Sequence, residues 1–268
     1  MELSGKSVVI TGASSGIGRA LAVEMARQGA WLTVAARNQR ELDETVELCL
    51  KASGKARAVV TDVAVEDDCR RLIQQAVDVY KKVDILVNNA GVSMWARFEE
   101  VKDLSIFEKM MKVNYMGAVY CTYYALPYLK ESKGLIVAVS SLTGKTGVPT
   151  RSGYGATKHA MQGFFDSLRI ELLGTGVDVL VISPGFVATD IRARAFSGEG
   201  VSLGKSPREE NSSETMSVEE CVRQMIEAIR RRRRELVMTR KARLGMWLKL
   251  IAPAIVDRIA LNAVREKN

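Results

Sequence analysis

The chain has one histidine and four cysteines among its 268 residues, and aromatic residues make up only 6% of it. His159 is the single imidazole, and Cys49, Cys69, Cys121 and Cys221 lie far apart in sequence. No Cys/His zinc cluster can be assembled from that set, and no metal site is expected. Scattered thiols fit a reducing compartment rather than a disulfide framework. Only five prolines occur, and no Pro/Ser-rich linker or internal repeat divides the chain. A basic region followed by a long apolar core is missing from the start, where Met1-Glu2-Leu3-Ser4-Gly5-Lys6 runs straight into apolar sequence. The expectation at this end is a cytoplasmic chain with no secretory leader.

What is present is ordinary for a globular protein: 47% hydrophobic and 26% charged residues. The length suits one α/β domain and is enough to bury a core without staples. The net charge of +8 is uneven, because five arginines stand in a row at 230–234. A basic excess can serve nucleic acid, an anionic membrane or an anionic substrate. The run follows a helical pattern and precedes a short strand, so it reads as a water-facing helix end, where cations suit the macrodipole.

Short apolar runs alternate with longer helical patterns. Strands are predicted at 7–11, 31–35, 56–61, 85–88, 135–140, 177–183 and 236–239. Helices are predicted at 17–28, 39–52, 65–80, 105–129, 153–173 and 217–231. Most of the strands are continuously apolar, as strands buried on both faces are, which implies a parallel sheet covered by helices. The fold class is therefore α/β, a single-domain, Rossmann-type doubly wound parallel sheet of about seven strands with helices on both faces. It would span 1–243, with an amphipathic extension at 244–268. Residues 190–216, rich in Gly, Ser and Glu, lie at the carboxyl edge of the sheet and are expected to form a mobile lid.

Three groups of residues carry chemistry. Thr11-Gly12-Ala13-Ser14-Ser15-Gly16-Ile17-Gly18 follows the first strand and opens the first helix. Glycines there allow a tight turn and let backbone N–H groups approach a pyrophosphate at a positive helix N-terminus. The second strand ends Val34-Ala35-Ala36-Arg37-Asn38, with no carboxylate for an adenosine ribose. Arg37 can instead clamp a 2′-phosphate through paired charge-assisted bonds, which favours NADPH over NADH. Finally, Ser140-Ser141 ends the fifth strand, Tyr154 comes thirteen residues after Ser141, and Lys158 follows at i+4 on the same helix face. A free tyrosine titrates near pH 10, too high for an efficient acid or base at neutral pH. A nearby ammonium favours the phenolate and lowers that value. Taken alone, the Tyr/Lys pair reads better as a solvated helix face.

With these motifs in order, the chain resembles the short-chain dehydrogenase/reductase family over about residues 5–240. The matching elements are Thr11 to Gly18, Asp62-Val63, Asn88-Asn89-Ala90-Gly91, Asn114, Ser141, the Tyr154/Lys158 pair, and Pro184-Gly185 with Thr189. The resemblance implies that Gly12, Ser14, Ser15, Gly16, Ile17 and Gly18 cradle the dinucleotide, with Arg37 at its 2′ position. Asp62 and Val63 would contact the adenine. Asn88, Asn89, Ala90 and Gly91 would support the nicotinamide side, and Pro184, Gly185, Val187 and Thr189 would hold the carboxamide. Ser141, Tyr154 and Lys158 would form the catalytic triad, with Lys158 also on the nicotinamide ribose. Asn114 would hold a water that relays protons to Lys158. Hydride from NADP(H) would then reduce a ketone or aldehyde, reversibly, with Ser141 and Tyr154 stabilising the developing oxyanion and Tyr154 giving the proton. His159 reads as a bystander. A homodimer or homotetramer is implied by the resemblance alone.

Within the family, the Ala36-Arg37-Asn38 strand end, Asn114-Tyr115-Met116-Gly117 and a basic, apolar tail are similar to members acting on lipid-linked ketones. Arg192 and Arg194 could meet an acidic head group there, or simply be solvated. The tail at 244–264 is mostly apolar but carries Lys249, Pro253, Asp257 and Arg258, which disfavours spanning a membrane. Its flanking basic residues fit a peripheral helix on an anionic membrane. Packing over the substrate pocket or against another subunit is an equal alternative. A competing function of a different class is an NADP-binding sensor or scaffold without turnover, but such a protein needs no proton relay. Few aromatics accompany the basic residues, so nucleic acid is not expected as a partner.

Overall fold

The computed structural model describes residues 1–52, 54–206 and 215–265. Seven strands form one parallel sheet in the order β3-β2-β1-β4-β5-β6-β7. They are β1 (Ser7–Thr11), β2 (Trp31–Ala36), β3 (Lys55–Val60), β4 (Ile85–Asn88), β5 (Leu135–Val139), β6 (Asp178–Ser183) and β7 (Glu235–Val237). Strand order reverses between β1 and β4, so a crevice opens there beyond the carboxyl ends of the strands.

The alternation of side chains along each strand divides the core in two. Val8, Ile10, Leu32, Val34, Ile85, Val87, Val137 and Ile182 point to one face. They meet α1 (Gly16–Arg27), α2 (Gln39–Lys51) and α7 (Val218–Arg230). Val9, Ala35, Leu86, Ile136, Ala138, Val179 and Val181 point to the other. There they meet α3 (Glu66–Tyr80), α5 (Gly117–Ser132) and α6 (Ser152–Glu171). Central strands buried on both faces explain the continuous apolar runs of the sequence. Local signals fix the helix starts. Asn38 accepts a hydrogen bond from Glu41 N at 3.3 Å to cap α2, and Ser217 accepts one from Glu220 N at 3.2 Å to cap α7.

Four features depart from the sequence expectations. The helix expected at 105–129 is broken into α4 (Ser105–Met111), a π-turn (Lys112–Met116) and α5. Asn114, at the centre of that turn, is drawn inward by three hydrogen bonds. The single added residue of a π-bulge accommodates this at little disturbance to either helix. The arginine run is not simply a solvated helix end: α7 stops at Arg230 and Arg232 turns into the left-handed region with φ 48. Its guanidinium donates to the carbonyls of Lys133 at 3.0 Å, Gly134 at 2.8 Å and Gly176 at 3.0 Å, and it pairs with Asp178. It therefore ties three turns together at the amino edge of the sheet. The C-terminal extension begins at once after β7 as two helices, α8 (Arg240–Ile251) and α9 (Pro253–Arg265), separated where Pro253 cannot continue the ladder. The expected lid at 190–216 is partly built: Phe196 bridges Met94 and Ser202, and Val187 bridges Met216. Its residues 207–214 lie outside those described.

Candidate active site

At the switch point the turn after β1 takes a form only glycine fits without strain. Gly12 and Gly16 have φ of +65 and +53, and a Cβ on Gly12 would sit 2.7 Å from the Ala90 Cα. A Cβ on Gly18 would meet the Gly12 carbonyl at 2.3 Å. Asn89, just after β4, braces this turn, donating to the carbonyls of Thr11 at 2.9 Å and Gly12 at 3.0 Å. Thr11 Oγ1 in turn accepts from the backbone N–H groups of Asn89 and Ala90. The turn leads into α1, whose first turn carries no acidic residue and whose Ser15 N-cap uses no side-chain oxygen for capping. The positive end of α1 therefore faces an open groove of about 770 Å³.

That groove gathers most of the residues expected at a dinucleotide. Gly12, Ser14, Ser15, Gly16, Ile17 and Gly18 line its floor. Arg37, Asp62, Val63, Asn89, Ala90, Gly91 and Thr189 line its walls. Asp62 keeps one oxygen on Ala64 N at 3.0 Å, and the Val63 side chain packs against Gly117. Pro184, Gly185 and Val187 line the adjoining cavity instead. The residues fit a dinucleotide: the glycine turn leaves room for backbone approach, and the β2 end offers a cation and no acid. The sequence pointed to neither Lys109 and Lys112 on the groove wall nor Glu41, which Arg194 approaches at 3.7 Å. No local signal marks them, because Glu41 on α2 and Lys109 and Lys112 around the start of the π-turn reach the groove only through the tertiary fold.

The second cavity, about 310 Å³, joins the groove through Ile17, Asn89, Gly91, Thr189 and Ile191, which line both. Ser141, Tyr154 and Lys158 converge in it. Ser141 follows β5, and its hydroxyl accepts from Thr143 N at 3.2 Å. Tyr154 and Lys158 come from one face of α6 and are 7% and 3% exposed. Lys158 Nζ donates to the Val139 carbonyl at 2.9 Å. Burial brings its ammonium down to about 7.

The tyrosine differs from expectation. Burial raises the Tyr154 phenol above its ordinary value, while the Arg151 charge and a hydrogen bond with Ser141 pull it back. The expected influence of Lys158 is not among these causes, because burial itself disfavours the lysine's charge. Arg151 was not anticipated; it is the N-cap residue of α6, just ahead of the helix that carries Tyr154. Its guanidinium lies 4.5 Å from the Trp95 ring centre, 5.6 Å from Phe186 and 6.0 Å from Tyr154.

Asn114 is buried, and its side chain bonds to protein partners. Oδ1 accepts from Val92 N at 2.8 Å, and Nδ2 donates to the Val92 carbonyl and to Thr157 Oγ1, both at 2.9 Å. It positions the loop after β4 against α6. Arg192 is not a solvated loop arginine, whereas Arg194 is exposed, with 53% of its side chain open to water. Arg192 is 2% exposed and donates to the Val187 carbonyl at 3.3 Å, and Arg194 donates to Ser15 Oγ at 3.2 Å. His159 is exposed beside the Gly155 carbonyl, as a bystander would be.

A sequence model of the short chain dehydrogenase family matches residues 6–200. The chain belongs to the short-chain dehydrogenase/reductase family. It is an oxidoreductase of that family, which uses a nicotinamide cofactor. Among curated relatives it is similar to the 11-beta-hydroxysteroid dehydrogenase A of Sesamum indicum, 36% identical over 96% of this chain and 74% of the relative. It is also similar to a dehydrogenase/reductase SDR family protein 7-like of Dictyostelium discoideum, 34% identical over 94% of this chain and 79% of that one. Among solved structures it resembles a short chain dehydrogenase/reductase of Burkholderia phymatum in complex with NAD, with a TM-score of 0.83. That pair is 26% identical, over 95% of this chain and 96% of the other. These relatives carry hydroxysteroid and general dehydrogenase names rather than those of enzymes for lipid-linked ketones.

Proposed function

We propose that this enzyme uses NADP(H) to interconvert a ketone and an alcohol on an apolar substrate, with Tyr154 as the acid in reduction. One observation carries the reading. The cavity in which Ser141, Tyr154 and Lys158 converge opens directly into the groove that fits a dinucleotide, sharing Gly91 and Thr189 with it. Bound nicotinamide supplies the hydride. Ser141 and Tyr154 hold the substrate oxygen by hydrogen bonds that strengthen as charge develops there. The phenol proton passes to that oxygen, and Lys158, whose ammonium burial brings down to about 7, can take part in returning a proton to Tyr154. Asn114 keeps the loop carrying Gly91 and Val92 in place, so that the groove and the pocket stay in register.

The pocket walls favour an apolar molecule. Trp95, Leu142, Val148, Pro149, Phe186 and Ile191 face the space beside Tyr154. The hydroxysteroid names of similar proteins point the same way, so alicyclic ketones and steroid-like alcohols are the first substrates to try.

Arg37 supports the NADPH preference, being exposed on the groove wall just past β2. In steady-state kinetics Arg37→Ala should lower kcat/KM for NADPH by about ten- to a hundredfold, as losing charge-assisted bonds does. The values for NADH should hold. A native preference for NADH, or an equal fall with both cofactors, would refute the Arg37 role.

A further inference from the structure

The reaction above leaves the C-terminal helix pair unused. On α8, Leu244, Trp247 and Ile251 follow i, i+3, i+7 spacing and stand on one face with Leu250 beside them. They are 70%, 69%, 83% and 77% exposed. On α9, Ile255 and Ile259 are one turn apart, at 53% and 58%. Few folded chains leave six large apolar side chains in water on consecutive helices without a partner for them.

We propose that α8 and α9 form a docking surface for an anionic lipid bilayer, lying flat on it with these six side chains in the headgroup layer. Length excludes spanning. The helices have 12 and 13 residues, about 20 Å each, short of a hydrocarbon core of about 30 Å. Charge selects the occupant. Residues 240–262 hold five basic side chains and one acidic, Asp257. Lys241 and Arg258 are exposed beside the apolar positions. A second copy would bring the same basic set to a two-fold interface, like charge against like. An anionic leaflet complements it, each Lys or Arg near the surface adding about fivefold to partitioning. Trp247 has the residue type that settles at the headgroup level.

The inner side of the pair is anchored to the enzyme. Lys249 donates to the Lys145 carbonyl at 2.9 Å, Arg243 to the Val237 carbonyl at 3.2 Å, and Ala260 of α9 lines the cavity holding Tyr154. A docked α9 would thus be a thin wall between the lipid surface and the pocket, which suits a substrate dissolved in the bilayer. The docking itself does not depend on the reaction proposed above.

The test uses the full chain with vesicles of phosphatidylcholine alone and of phosphatidylcholine mixed with phosphatidylserine. Co-sedimentation is expected with the mixed vesicles at low salt, weakening as salt rises. The emission of Trp247, isolated as the difference from Trp247→Phe, should shift to the blue on binding. Trp247→Glu with Ile251→Glu should cut the bound fraction at least about tenfold, with the circular dichroism spectrum unchanged. Lys241→Glu with Arg258→Glu should remove the preference for phosphatidylserine. Failure of the native chain to sediment with either vesicle would overturn the proposal. So would binding that ignores all four substitutions. A native dimer that the Trp247→Glu/Ile251→Glu variant dissociates, in a chain that ignores vesicles, would assign the surface to a second copy instead.

Discussion

Lys158→Met should make the nucleotide-free protein more stable while removing its activity. The lysine is 3% exposed, and burial holds its ammonium at about 7. In the unfolded chain a lysine keeps its proton until about pH 10.4. Between those two values the unfolded chain binds more protons, so stability rises with pH across that window. Below about 7 both states are protonated, and the full penalty for burying the charge applies. At pH 7 the penalty is on the order of 4 kcal/mol, from 1.36 kcal/mol per pH unit. Methionine removes it, fits beside Met161, and gives up the bond to the Val139 carbonyl, which costs about 1 kcal/mol. The expected net gain is about 3 kcal/mol in urea unfolding at neutral pH. Near pH 10 the gain should be lost. A Lys158→Met chain no more stable than the native one at pH 7 would refute this, and with it the view of Lys158 as a costly, function-driven buried charge.

Arg151→Met keeps a long apolar side chain between Trp95 and Phe186 but removes the charge that pulls Tyr154 down. In alcohol oxidation, which needs the phenolate, the acid limb of the kcat/KM profile should move to higher pH, and Arg151→Lys should restore much of it. An unmoved profile would mean that the guanidinium serves packing only. Arg232→Ala deletes three carbonyl contacts and the pair with Asp178, and should cost about 2 kcal/mol in thermal or urea unfolding. Arg230→Ala, at an exposed neighbour, should change stability by less than about 0.5 kcal/mol. Equal effects at the two sites would contradict the bracing role of Arg232.

The sheet was readable because its strands are buried on both faces: Val8-Val9-Ile10 and Leu135 to Val139 advertise that directly. The glycine turn, Ser141, Tyr154 and Lys158 were readable as well, since their spacing follows from a turn and from two positions on one helix. What stayed hidden depends on tertiary placement. The one-residue insertion at Asn114 leaves the apolar pattern on either side intact, so periodicity runs through it. Arg232 looks like its four neighbours until a left-handed residue turns it inward. Arg151 carries its charge into a cavity only because Trp95 and Phe186 arrive from other loops. Ala260 has no sequence signal for a pocket wall. It becomes one through the break at Pro253, which folds α9 back over the site.

The most direct measurement is single-turnover hydride transfer, following NADPH oxidation with an excess of enzyme and an alicyclic ketone, for the native chain and Tyr154→Phe. Phenylalanine fills the same space and leaves the groove lining intact, so NADPH binding, read by nucleotide fluorescence, should be unchanged. Hydride transfer should fall by about a thousandfold, the scale set by losing a positioned acid. A Tyr154→Phe chain that binds NADPH normally and transfers hydride at the native rate would contradict the assignment of Tyr154 as the proton donor.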